Sequence, residues 1–477
     1  MNFSSSAALL AILALVLCLP PAVSAQSSPN QSLSSPSASD LYDRGRKAIS
    51  AQEFELARKA FEESAAAGNA EAMFNLGLLY QNGLGVKQDY LSARQWYEKA
   101  AAAGNAEAMT NMGILFSEGR GVMQDFQQAR LWFEKGTATG NTRAMNNLGL
   151  MYSRGDGVQQ DHWQAFLWYE KAAKGGNATA MNILGYLYID GLGIPRDYQQ
   201  ARQWLEKAAA LDLATAMTSL GILYSRGDGV TQDYAQARRW FEKAATNGDV
   251  QAMSLLAYLY TAGKGGPLDY PQARMWYEKA AMAGDGDAMV NLGYLYEIGR
   301  GGAQDSSQAR LWYEKGAAAG RVDAMRFLGA LYLVGNGVTQ DYQQAHHWFQ
   351  KAAEAGNSEA MGYLGYLCMT GRGTKRDDAQ ARQWLEKGAV AGDEVSMSYL
   401  GYLYEYGRGV QRDYAQARQW YERAASAGLP MAMKNMGHLY EKGRGVKKDP
   451  QQARKWYEKA TAAGKKSVQQ KGMELPE

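Results

Sequence analysis

The chain has 477 residues and is close to electroneutral, with 51 basic and 48 acidic side chains giving a net charge of +3. The two signs are interspersed and no basic stripe or arginine–aromatic groove stands out, which argues against a nucleic-acid partner. Two cysteines, one of them in the N-terminal leader, exclude a disulfide-stapled scaffold.

In chain order, Ala7 to Leu19 form an apolar run too short to span a bilayer comfortably, followed by Pro20, Pro21 and the small-residue site Val23, Ser24, Ala25. This predicts a secretory signal peptide over residues 1–25, cleaved before Gln26, with no membrane span afterwards. Residues 26–39 are rich in Ser and Pro and are expected to form a disordered linker. Residues 40–69 keep Phe54, Ala57, Phe61 and Gly68 at positions that later recur, but carry Ala60 where tryptophan then stands. A divergent capping helix pair is expected there.

From Ala70 the chain is periodic. Met73 recurs every 36 residues through Met433, Trp96 through Trp456, Asp89 through Asp449, Ala93 through Ala453, and the pair Gly83 and Gly85 through Gly443 and Gly445. A fixed period of this length marks a solenoid, in which each unit stacks on its neighbours and cannot bury its apolar face alone. Within one unit, Ala72, Met73, Leu76, Leu79 and Tyr80 share a helical face. Asn69 is the expected N-cap and Gly83 with Gly85 the exit. A second helix is expected to start at Asp89, carry Tyr90, Ala93, Trp96, Tyr97 and Ala100 inward, and close at Gly104. Gly77 and Ala93 would let the two helices approach, with Trp96 and Tyr97 filling the space beside them.

The unit AEAMFNLGLLYQNGLGVKQDYLSARQWYEKAAAAGN, from Ala70 to Asn105, closely resembles the Sel1-like repeat, a relative of the tetratricopeptide repeat. Eleven contiguous copies run from residue 70 to 465, followed by a polar tail, 466–477. The resemblance implies an all-α fold, a right-handed superhelical α/α solenoid of TPR-like helix pairs, acting as an adaptor for other proteins. Some relatives are associated with β-lactam binding or hydrolysis, but they resemble a cysteine-rich subgroup whose cysteines are missing here.

No catalytic or metal-binding motif is present: H-E-x-x-H, C-x-x-C, G-x-S-x-G, S-x-x-K and a P-loop are all missing. His162, His346, His347 and His438 are scattered, and the aspartates of the Asp89 column sit where helix caps belong. Cys368 occupies a column otherwise Tyr or Phe and is expected to be a small buried hydrophobe. Arg154-Gly155-Asp156 and Arg226-Gly227-Asp228 spell an adhesion tripeptide, but their glycines belong to the turn. No catalytic residue, metal or cofactor is therefore expected.

Recognition should be written where the repeat does not dictate the residue. At 100° per residue the columns of Asn75, Leu78 and Asn82 lie opposite the packed face of the first helix. They are rich in aromatics toward the C-terminus: Tyr186, Tyr258, Tyr294, Phe327, Tyr363, Tyr366, Tyr399, Tyr402 and Tyr406. First helices usually line the concave side of such arrays, so these rings are the expected binding trough for an extended peptide or partner helix. Packing between neighbouring first helices is the competing explanation. The functional expectation is an exported, non-enzymatic scaffold for protein–protein interactions in the bacterial cell envelope, periplasmic or extracellular. An envelope hydrolase or a carbohydrate- or β-lactam-binding protein using the same groove is the alternative.

Overall fold

The computed structural model describes residues 36–470, all of whose regular elements are helices. The expected signal peptide, most of the expected linker and the last seven residues lie outside the described residues. The helices alternate along the chain as α1 Ala38–Ser50, α2 Phe54–Ala66, α3 Ala70–Asn82, α4 Tyr90–Ala102, α5 Ala106–Glu118, α6 Phe126–Ala138, α7 Thr142–Arg154, α8 His162–Lys174, α9 Ala178–Asp190, α10 Tyr198–Ala210 and α11 Ala214–Arg226. They continue as α12 Tyr234–Thr246, α13 Val250–Ala262, α14 Tyr270–Met282, α15 Gly286–Ile298, α16 Ser306–Ala318, α17 Val322–Val334, α18 Tyr342–Glu354, α19 Ser358–Thr370, α20 Asp378–Val390, α21 Glu394–Tyr406, α22 Tyr414–Ser426, α23 Pro430–Lys442 and α24 Pro450–Gln470. Two compact units divide the chain at residues 220 and 221, within α11.

Local chemistry sets the helix ends. Asn69 Oδ1 accepts the Ala72 amide at 3.0 Å, and Asp89 Oδ1 accepts the amides of Leu91 and Ser92 at 2.9 and 3.3 Å. Gly83 ends α3 in the left-handed conformation (φ 68°), and the Asp89 amide donates to the Tyr80 carbonyl at 2.9 Å, which closes the turn. The first helix begins at Ala38, inside the span expected as linker, because Ser37 and Asp40 form a capping box. At the other end α24 runs into the span expected as tail, reaching Gln470.

Each pair is held at the small residue of its first helix. A Cβ on Gly77 would overlap the ring of Tyr97, so the ring lies flat on the α3 backbone, fully buried, and its hydroxyl donates to Gln81 Oε1 at 2.8 Å. Tyr97 fills the place expected for both aromatics; Trp96 is only half-buried. Adjacent helical residues diverge by about 100°, so one of the two must leave the interface. The indole is covered from outside, with Lys99 Nζ 4.2 Å from its ring, an arrangement repeated down to Lys459 over Trp456 at 4.5 Å.

The core is a row of clusters, each shared between repeats. In the first unit, Ala93, Tyr97, Ala100 and Ala101 of α4 pack on Ala108, Met112 and Leu115 of α5. In the second, Ala381, Leu385 and Ala389 of α20 join Cys368 and Met369 of α19 to Leu400 and Leu403 of α21. The Gly85 column makes the second contact between repeats. There a Cβ would lie 2.6 Å from the carbonyl carbon of Phe54, at the start of the preceding second helix. Glycine is required both by φ (67°) and by this backbone approach.

Candidate protein-binding face

The columns of Asn75 and Leu78 turn toward the neighbouring first helices instead of lying free. In the first unit Asn75 and Leu78 are buried, and Asn75 Nδ2 reaches the Tyr42 hydroxyl of α1 at 3.4 Å. Neighbouring first helices come close enough for side chains 33 residues apart to touch, which a single-helix wheel does not reveal. Tyr186 belongs to this unit: the residue is 42% exposed and its hydroxyl oxygen accepts the Ser219 hydroxyl at 2.7 Å.

The other eight candidate residues lie in the second unit, on α13, α15, α17, α19 and α21. Tyr294 and Phe327 approach at 6.2 Å between ring centres, and Tyr366 stacks on Tyr399 at 5.8 Å. Tyr402 and Tyr406, one helical turn apart, meet at 4.6 Å. Phe327 also stacks on Tyr313 at 4.9 Å, and Tyr363 on Phe349 at 4.5 Å, so these two are wedged against the second helices α16 and α18. Tyr258, Tyr294, Phe327, Tyr363, Tyr366, Tyr399 and Tyr402 are half-buried, while Tyr406 is exposed. The paired rings are thus engaged within the array while keeping part of their surface accessible. Burial pushes the hydroxyls of Tyr294, Tyr363 and Tyr399 above the usual phenol range, which keeps them protonated as hydrogen-bond donors.

A group not singled out from the sequence accompanies the rings. The variable residue between the two turn glycines is basic at Lys264, Arg300, Arg372, Arg408 and Arg444. Lys264 Nζ donates to Tyr258 OH at 3.2 Å and Arg372 Nη1 to Tyr366 OH at 2.7 Å. Arg408 and Arg444 are neutralised from the preceding repeat. Arg408 binds the Asp378 carboxylate at 2.7 Å, and Arg444 binds buried Glu405 at 2.9 Å, whose other oxygen accepts the Tyr421 hydroxyl. Arg376 and Arg408 outweigh the burial of Asp378 and hold its carboxyl below the ordinary range. The signal in the sequence was a variable position inside an invariant turn.

The first unit has a different feature, a cavity of about 330 Å³ whose lining includes Ile114, Phe126, Phe133, Leu150, Met151 and Arg154. Phe133 lacks the hydroxyl that Tyr97 gives to Gln81, and Ser117 replaces the glutamine, so the space they would fill stays open. Among the described residues no cluster of three His, Cys, Asp or Glu side chains converges. Nor is any described helix long and apolar enough to cross a membrane. The recurring aspartates are engaged in capping, as Asp89 is.

The Sel1 repeat family model matches eleven consecutive segments: 70–105, 106–141, 142–177, 178–213, 214–249, 250–285, 286–320, 322–357, 358–393, 395–429 and 430–465. Among solved structures, a protective antigen present in uropathogenic Escherichia coli strains, displaying an SLR fold, is similar at 33% identity and a TM-score of 0.71, over 88% of this chain and 91% of that one. A Sel1 repeat protein from Oxalobacter formigenes is similar at 32% identity and a TM-score of 0.53, over 65% of this chain and 90% of that one. No curated protein matches the chain.

Proposed function

The chain belongs to the Sel1 repeat family, whose helical solenoids typically serve as protein–protein interaction scaffolds, and from that premise we propose an exported, non-enzymatic scaffold of the bacterial cell envelope. Its partner is a protein or peptide docking along the aromatic face of the second unit. One observation carries this reading: aromatics at positions the repeat does not dictate pair with one another, Tyr294 with Phe327, Tyr366 with Tyr399 and Tyr402 with Tyr406, and keep part of their surface accessible. Rigid rings held in place by neighbours lose little entropy on binding, which suits them to recognition.

Export rests on the apolar run Ala7–Leu19 and the small-residue site ending at Ala25. The likeness to a protective antigen of E. coli supports a surface-accessible or envelope location. The test is capture from envelope extracts with the wild-type chain and with a Tyr366→Ala, Tyr402→Ala double variant, alongside thermal denaturation of both. Loss of a specific partner at little change in midpoint supports docking on the rings. Unchanged capture with a lowered midpoint assigns them to packing alone and refutes the proposal.

A further inference from the structure

The aromatic face carries a charge pattern that selects among possible partners. In the second unit, from α13 onward, the Leu78, Asn82 and Leu84 columns read Tyr258, Ala262, Lys264; Tyr294, Ile298, Arg300; Ala330, Val334, Asn336; and Tyr366, Thr370, Arg372. No carboxylate stands at these positions. The corresponding stretch of the first unit mixes Glu118, Asp156 and Asp190 with Arg120 and Arg154. The hydrogen bonds from Lys264 to Tyr258 and from Arg372 to Tyr366 place the turn cations beside the rings. Neither cation forms an ion pair among the described residues, in contrast to Arg408 and Arg444.

Between the cations lie exposed aliphatics, Ile298 at 37% and Val334 at 71% exposure. Of the acids on these first helices, Glu297 stands beside Ile298 and accepts the hydroxyl of Tyr313 of α16 at 2.8 Å, while Asp287, Asp323 and Glu359 are at the other end, Asp287 paired with Arg321 and Glu359 with Arg326. Eleven helical residues separate the Asp287 and Ile298 positions, about 16 Å along the axis, too far for Asp287 to reach the stripe.

We propose that this stripe, along the C-terminal ends of α13, α15, α17 and α19, binds an extended acidic-aliphatic segment of a partner protein. Packed helices repeat at roughly 8–10 Å and an extended chain advances about 3.3 Å per residue. Successive repeats therefore read about every third residue of the ligand. Lys264 and Arg372 stand three repeats apart, so the matching carboxylates fall about nine residues apart. Apolar side chains between them meet Ile298 and Val334, and the tyrosine hydroxyls donate to the ligand backbone. The inference rests on the reading of the aromatic face as a docking surface.

The test uses the chain from Gln26 onward and three fluorescein-labelled synthetic peptides: one with aspartates in this spacing, one with the same composition but adjacent aspartates, and one with asparagine replacing aspartate. Binding is followed by anisotropy over a salt series. The spaced acidic peptide should bind best, weaken with salt, and lose about tenfold or more in a Lys264→Gln, Arg372→Gln variant. A Lys264→Glu, Arg372→Glu variant should lose more, with both variants shown to be folded by circular dichroism. Equal binding of the asparagine peptide, indifference to both charge variants, or no binding of any peptide overturns the proposal. If a Tyr258→Ala, Tyr366→Ala variant then loses binding of all peptides alike, the docking face survives and only its acidic specificity fails. If neither set of variants matters, both readings fall.

Discussion

Asp393 stands where Asn69, Asn105, Asn141, Asn177 and Asn357 cap the equivalent helices, and it is buried to 6% exposure. Burial pushes its carboxyl up, against the hydrogen bonds from Ser396, with Glu394 and Glu359 adding to the rise. A carboxyl raised on folding penalises the folded state when ionised. The penalty is absent below the unfolded value of about 4 and complete above the folded one. Asp393→Asn keeps an oxygen to accept the Ser396 amide and removes the charge. Its thermal midpoint should exceed wild type near pH 7 and match it near pH 3; the reverse order would show that the carboxylate stabilises the cap. Cys368 is governed by burial too. Its thiol is pushed up to about 11, is fully buried, and donates to Gln380 Oε1 at 3.3 Å. Alkylation at neutral pH, read by mass spectrometry of the Cys368 peptide, should be slow in the native chain and fast in denaturant. Fast native labelling would mean that the α19–α20 contact opens readily.

At the scale of the helix pair, the two glycines that bound each turn and each repeat do different work, and their substitutions separate it. Gly104 has φ 90° with nothing within 4 Å of an added Cβ, so Gly104→Ala should lose only the backbone preference, about 1–2 kcal/mol. Gly85→Ala adds a clash with the backbone of α2 and should lose roughly 3 kcal/mol or more, measured by urea denaturation. Equal losses would show that the turn can move away from the preceding repeat. The sequence disclosed the caps at Asn69, Asp89 and Gly83 because capping is decided within four residues. Periodicity likewise identified Leu76 and Leu79 as core. It did not disclose that Gly85 meets Phe54, that Tyr97 and not Trp96 covers Gly77, or that Lys99 shields the indole. It says which face a side chain occupies, whereas the identity of the neighbour on that face depends on how pairs stack. The tyrosine ladder shows the same limit: its residues were evident as departures from the template, while their stacking and the cations beside them came only with the geometry.

Over the whole molecule the shared clusters make stability a property of neighbours, so where a deletion falls should matter more than how much it removes. In the first unit, Ala48, Ile49, Ala57, Phe61 and Ala65 of α1 and α2 cover Ala72, Leu76 and Leu79 of α3. A chain starting at Ala70 leaves that face bare. It should denature at a lower urea midpoint than one starting at Gln26 and aggregate on warming. Removing residues 142–177 instead joins Asn141 to Ala178, which stand at equivalent positions. Ala129 and Phe133 of α6 then meet Leu184 and Leu187 of α9 as they meet Leu148 and Met151 in the intact chain. Gly193 likewise replaces Gly157 against the start of α6. The internally shortened chain should keep its helicity per residue and lose much less stability than the one deprived of α1 and α2. If the terminal deletion proves the milder of the two, the first helix pair is an appendage and the exposed face of α3 is tolerated by the array.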